Sequence, residues 1–182
     1  GRGCSRARIV PRARPAPGWE RDARLDWRDV VTIAHISDPH VGSPYFVPNL
    51  MNRVIVELNE LEPDVVICSG DLTNEGYRQE YKNWVAYADR IRAPMFTVPG
   101  NHDARNVGYL HFEELVGPRD WSAIVRGVRL VGVDSSEPDL NEGQVGRDRY
   151  PWIREHFDVP ADLKVFVLHH HLLPIPGTGR ER

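Results

Sequence analysis

Cysteine, lysine and long apolar runs are scarce in this sequence, and each scarcity excludes something. Two cysteines among 182 residues, Cys4 and Cys68, are too few for a disulfide framework. Cys68 lies inside an apolar run and reads as a small buried side chain, whereas Cys4 sits in a tail. Nothing points to an oxidising compartment, so a cytoplasmic location is expected. Lys82 and Lys164 are the only lysines; the remaining basic residues are arginine, which reads as codon usage rather than chemistry. A net charge of −3 gives no strong pull toward nucleic acid or a membrane surface. No stretch approaches the ~20 apolar residues of a membrane helix. No basic stretch leading into an apolar segment opens the chain.

What the chain does have is a set of five apolar runs that end in polar residues. Val31–Ser37 leads into Asp38-Pro39-His40, and Val65–Ser69 into Gly70-Asp71. Pro94–Val98 leads into Pro99-Gly100-Asn101-His102-Asp103, Val128–Val133 into Asp134-Ser135-Ser136, and Val165–Leu168 into His169-His170-His171. Buried parallel strands read as near-continuous apolar runs, and open α/β sheets bind ligands at the carboxyl ends of their strands. Carboxylates, an amide oxygen and imidazoles gathered there suit divalent metal ions.

Helical periodicity lies between the runs. Asn49–Leu61 carries Leu50, Val54, Leu58 and Leu61 at helical spacing, with Met51 and Ile55 beside them and Asn49 as a candidate N-cap. Tyr77–Ile91 reads as a four-turn amphipathic helix, Val107–Leu115 as a short one stopped by Gly117-Pro118, and Gly146–Phe157 as a fourth entered near Pro151. Trp121–Val125 and Val128–Val133 read as a hairpin around Arg126-Gly127. Strands alternating with helices predict βαβ units and a mainly parallel sheet in an α/β domain over residues 30–182. Residues 1–29 read as a disordered Arg/Pro-rich tail and a lead-in whose Trp19, Leu25 and Trp27 could pack on the domain.

Taken singly, each block has an ordinary explanation. Asp38-Pro39 and Gly70-Asp71 are also turn formers, and Asn101-His102 would suit an exposed loop. Three successive histidines are poor apolar filler, and alternation places His169 and His171 on one face and His170 on the other. His35, inside its run, reads as a core histidine. His111 and His156 fall on helices and read as surface residues. Asp134-Ser135-Ser136 reads as a turn or as hydrogen-bonding support for a neighbouring ligand.

Their joint occurrence is more specific. The order Asp38-x-His40, Gly70-Asp71, Gly100-Asn101-His102-Asp103, His169-His170 closely resembles the calcineurin-like metallophosphoesterases. Its wording is most similar to the bacterial class III cyclic-nucleotide and glycerophosphodiester phosphodiesterases. The resemblance implies an αββα two-sheet sandwich and a site for two divalent ions, Mn, Fe or Zn. It implies that Asp38 and His40 hold one ion, Asn101 and His169 the other, and that Asp71 bridges both. His102 would contact the substrate phosphate and assist the leaving group, with His170, Asn74 and Asp134 in support. The implied reaction is hydrolysis of a small-molecule phosphodiester or phosphomonoester by hydroxide held between the ions.

The family's last block, Gly-His-x-His, does not occur in these 182 residues. The expected sandwich is therefore C-terminally truncated, with three protein ligands per ion and one sheet edge bare. An inactive or weakly active fragment or scaffold is accordingly the alternative reading. A DNA-repair-type nuclease is a further one, weakened by the lack of a basic face interleaved with aromatics.

Overall fold

The computed structural model describes residues 30–173. The expected disordered tail, the packing of Trp19, Leu25 and Trp27, Cys4 and the loop after Pro174 lie outside the described residues. Two three-stranded sheets form the centre. The first has the order β1 (Ile33–Ile36), β2 (Val65–Cys68), β3 (Met95–Thr97), all parallel. The second has the order β4 (Trp121–Val125), β5 (Val128–Gly132), β6 (Leu163–Val167); β4 and β5 are antiparallel and β5 and β6 parallel. The two sheets are those the family resemblance implied, with three parallel strands in the first and the antiparallel hairpin in the second. The hairpin starts the second sheet, and Arg126 and Gly127 both have positive φ (48° and 84°), as a two-residue type I′ turn requires.

Alternation along β2 explains how the layers stack. All four of its residues are buried. Val66 and Cys68 face the helices α1 (Pro48–Leu61), α2 (Arg78–Ala88) and α3 (Gly108–Leu115), joining Met51, Ile55, Leu58, Tyr81, Trp84 and Phe112 in one apolar cluster. Val65 and Ile67 face the other sheet and pack with Val98, Trp121, Val128, Leu130 and Val167. Trp121 joins the two sheets: its ring lies 5.0 Å from that of Phe96, and its Nε1–H donates to the Thr97 carbonyl at 2.7 Å. On the outer side of the second sheet, Phe157 at the end of α4 (Tyr150–Phe157) meets Phe166 of β6.

Several local expectations need correction. The buried stripe of α1 is Met51, Ile55 and Leu58, and Leu50 and Leu61 are exposed. An i, i+4, i+7 set fits one helix face as well as the set chosen from sequence, and packing selected between them. Asn49 is not the cap of α1: Pro48 takes the first turn, and Val47 at the N-cap makes no side-chain bond. α2 is three turns long rather than four, with Glu80 accepting the Tyr77 backbone N–H at its start. His35 is exposed rather than buried, on the outer strand of its sheet, and its ring bonds Ser69 at 2.8 Å. His111 and His156 are half-buried against Tyr81 and Trp152, since both rings find an aromatic neighbour. Cys68 is buried as expected, and burial pushes its thiol pKa up.

Candidate metal centre

Parallel pairing brings the ends of β1, β2 and β3 to one edge, and the chain stays zipped beyond the strands. Asp38 N–H donates to the Gly70 carbonyl at 3.0 Å, and His40 N–H to that of Asp71 at 2.9 Å. Asp38, His40 and Asp71 all have left-handed φ (55°, 46° and 53°). Such conformations cost about 1 kcal/mol or more for a side-chain-bearing residue and collect at functional sites. Here they aim three candidate ligands into one space. Gly70 and Gly100 allow the two loops to abut: a Cβ on Gly100 would stand 2.2 Å from Asp71 Oδ1 and 2.5 Å from Asp71 N.

Asp71 is buried at the centre. Its Oδ2 lies 3.5 Å from His40 Nε2 and its Oδ1 3.6 Å from His169 Nε2. His40 Nε2 is also 3.7 Å from Asp38 Oδ1, and His169 Nε2 is 3.1 Å from Asn101 Oδ1. Most of these gaps are too long for hydrogen bonds. Ligands each ~2.0–2.2 Å from a common ion stand roughly 3–4 Å apart, so the spacing fits shared ions. Two groups of ligand atoms lie within 4.8 Å of one another: His40, Asp71 and His102, and Asp38, Asp71 and His169. Asp71 belongs to both. Asp38 also keeps its expected neighbour, with Oδ1 3.7 Å from His40 Nε2, so its carboxylate lies between the two groups.

The hydrogen bonds set the imidazole tautomers. A carbonyl only accepts, so His169 Nδ1, 2.8 Å from the Ser69 carbonyl, carries the proton and leaves Nε2 as a lone pair facing Asp71 and Asn101. His102 Nδ1 donates to the Asn74 carbonyl at 2.6 Å, leaving Nε2 free, while the His102 backbone N–H donates to Asp71 Oδ1 at 2.9 Å. His40 Nδ1 is buried without a hydrogen-bond partner, which leaves Nε2 as its outlet. Imidazoles, two carboxylates and an amide oxygen fit a divalent metal ion.

The residues expected in support act through their hydrogen bonds. Asn74 supports His102 through its carbonyl, and its side-chain amide turns to Glu75. His170 points away from both ligand groups. Its Nδ1 meets Ser135 Oγ at 2.8 Å and its Nε2 donates to the Asn141 carbonyl at 3.2 Å. Burial, followed by the neighbouring His169, holds its pKa below the usual histidine value. The Asp134 carboxylate bonds Arg119 and Ser136, so Ser135, not Asp134, carries that strand end's link to the histidines.

Asp103, the last residue of the Gly100-Asn101-His102-Asp103 block and without a role expected from sequence, is the buried brace of the site. Its carboxylate accepts the backbone N–H groups of Leu72, Thr73 and Gly100 and the Thr73 hydroxyl, all at 2.8–3.0 Å. It thereby ties the loop bearing Asp71 to the loop bearing Asn101 and His102. Burial pushes it up to about 6, although the hydrogen bonds from Gly100, Leu72 and Thr73 pull the other way. Its place three residues past a Gly was the available signal, since such an Asp readily bonds backward to turn amides.

Among the described residues no helix is long and apolar enough to cross a membrane. The family described as calcineurin-like phosphoesterase matches residues 31–181. A probable glycerophosphodiester phosphodiesterase of Arcobacter nitrofigilis is 27% identical over 157 residues, 76% of this chain and 56% of the relative. A cAMP/cGMP dual specificity phosphodiesterase of Mycobacterium tuberculosis is 27% identical over 163 residues, 80% of this chain and 51% of the relative. The chain thus spans about half the length of the curated relatives it matches. Among solved structures, a yellow lupin purple acid phosphatase superposes with a TM-score of 0.55 at 16% identity, over 75% of this chain and 29% of that one, a likeness of fold. With its strand-end blocks in order and the family match running from residue 31 to 181, this chain belongs to the calcineurin-like phosphoesterases.

Proposed function

We propose that this chain is the metal-binding core of a phosphodiesterase acting on a small-molecule phosphodiester. The observation that carries the reading is Asp71, which sets one carboxylate oxygen beside His40 and the other beside His169. In this reading Asp71 bridges two divalent ions, His40 serves the first, His169 and Asn101 serve the second, and Asp38 lies within reach of either. Such ions supply positive charge for the phosphate and lower the pKa of bound water toward neutrality. Asn101 is uncharged, which preserves that positive charge for an anionic substrate. His102, anchored through Nδ1 to the Asn74 carbonyl, keeps Nε2 for the substrate: with a second proton on the ring, Nε2–H would donate to a phosphate oxygen and pass that proton to the leaving alkoxide, returning the ring to its neutral Nδ1–H form. The diester preference rests on the two relatives, both named as phosphodiesterases.

The test is hydrolysis of a chromogenic phosphodiester with added Mn²⁺, with bound metal counted in the same sample. Turnover that disappears in Asn101→Ala and His169→Ala supports the reading, and turnover that survives either substitution refutes it. The second reading, metal binding without turnover, is favoured by the count of three protein ligands per ion. It predicts bound manganese and no hydrolysis.

A further inference from the structure

The ligand role of Asn101 poses a problem that the aspartates do not share. A carboxylate presents oxygen at either terminal atom, whereas an amide presents oxygen at one and an N–H donor at the other. Asn101 can serve an ion only if Oδ1 faces inward. Something must therefore choose between two orientations of nearly identical shape.

A chain of contacts makes that choice. Arg105 has donors only. Its Nη2 lies 3.0 Å from Asn141 Oδ1, so the Asn141 amide must turn its oxygen toward Arg105. That same oxygen lies 3.3 Å from Asn101 Nδ2. Because it accepts, Asn101 must present its NH₂ there, and Oδ1 is left pointing at His169. Arg105 is itself held, with Nη1 3.3 Å from Glu75 Oε1 and 3.4 Å from the Asn74 carbonyl. Its side chain is 23% exposed. The loop that delivers Asn141 is pinned on both sides of the site. Asp139 accepts the Asn106 backbone N–H at 2.9 Å, and the Asn141 carbonyl accepts from His170.

We propose that Arg105 and Asn141 are positioning residues that fix the amide orientation of Asn101, and so set the affinity of the second metal ion. The inference rests on the dinuclear reading above. Neither residue touches the ion; the donor-only guanidinium decides which way Asn141 faces, and Asn141 decides which way Asn101 faces. Groups of this kind around metal ligands typically govern affinity by 10- to 100-fold.

Manganese binding to this chain is measured by titration calorimetry, with urea unfolding run alongside. Asn141→Ala weakens one of the two binding events about tenfold. Asn141→Asp, which keeps an acceptor at the same place, restores it. The discriminating pair is Asn101→Asp and Asn101→Asp/Asn141→Ala. Aspartate needs no orienting, so in that background the alanine changes affinity less than about twofold. A general loosening of the loop would cost the same in both backgrounds. Two manganese ions bound equally well by wild type and Asn141→Ala overturn the inference and leave the proposed function intact. An equal loss in the Asn101→Asp background does the same. Wild type that binds no manganese removes the dinuclear reading and this inference with it.

Discussion

Gly100→Ala probes the site with a single methyl group. The added carbon would stand 2.2 Å from Asp71 Oδ1 and 2.5 Å from Asp71 N. One of these atoms is backbone, so no rotamer change of Asp71 relieves the contact, and the two loops must separate. Overpacking of this kind costs about 1–3 kcal/mol. Separation also weakens bonds that join the loops, among them His102 N–H to Asp71 Oδ1 and Leu72 N–H to Asp103 Oδ2, each worth about 1 kcal/mol or more. The expected loss of stability in urea unfolding is about 3 kcal/mol in all. The metal reading adds a second expectation, because the nearest obstructed atom is an oxygen of the proposed bridge. At a free manganese level 100 times the wild-type Kd, wild type gains about 2.7 kcal/mol of stability; a variant with tenfold weaker binding gains about 1.4 kcal/mol. A Gly100→Ala protein within about 0.5 kcal/mol of wild type, with an undiminished manganese increment, would refute the steric argument.

Three further outcomes are expected. If His169 is the ligand proposed above, His169→Ala lowers manganese affinity by about a hundredfold or more, while loss of its bond to the Ser69 carbonyl costs the apo protein only about 1 kcal/mol; calorimetry and urea unfolding check both parts. Trp121→Phe removes the donor to the Thr97 carbonyl between the sheets and should cost about 2 kcal/mol; a change below about 0.5 kcal/mol in urea denaturation would show that the sheets do not depend on it. Asp103 sits at about 6 in the folded chain against an ordinary 3.8, so the folded state holds this proton more tightly than the unfolded state. Its contribution to stability is present below about pH 4 and is lost as pH rises through about 6. The unfolding free energy of wild type relative to Asp103→Asn should therefore decline over that window, and a rise would show that the four hydrogen bonds outweigh burial.

Much of the framework was legible because it is local. The apolar runs became strands at their expected places, and the Arg126-Gly127 turn closed its hairpin. The strand-end blocks identified the candidate ligands by residue type. Choices between equivalent local patterns were not legible. The face of α1 that is buried differs from the chosen one by a single position, and Pro48 displaced Asn49 from the helix start. His35 carries an apolar-run signature yet lies at an exposed sheet edge, a fact about neighbours rather than about its own segment.

The chemistry of the site divides along the same line. Residue order alone specified which side chains carry carboxylate, amide and imidazole groups, and that each follows a strand, because strand formation reads out over a few residues. How those groups meet required the fold. His169 reaches the Ser69 carbonyl across 100 residues of chain, and Asn101 reaches Asn141 across 40. The gathering of Asp38, His40 and His169 around Asp71, the Asp103 brace, and the guanidinium that orients two amides in series all arise from loops brought together by packing two sheets. No periodicity encodes such contacts. They follow from the apolar layer around Val65, Ile67, Trp121 and Leu130, which holds the strand ends in register and lets the loops meet.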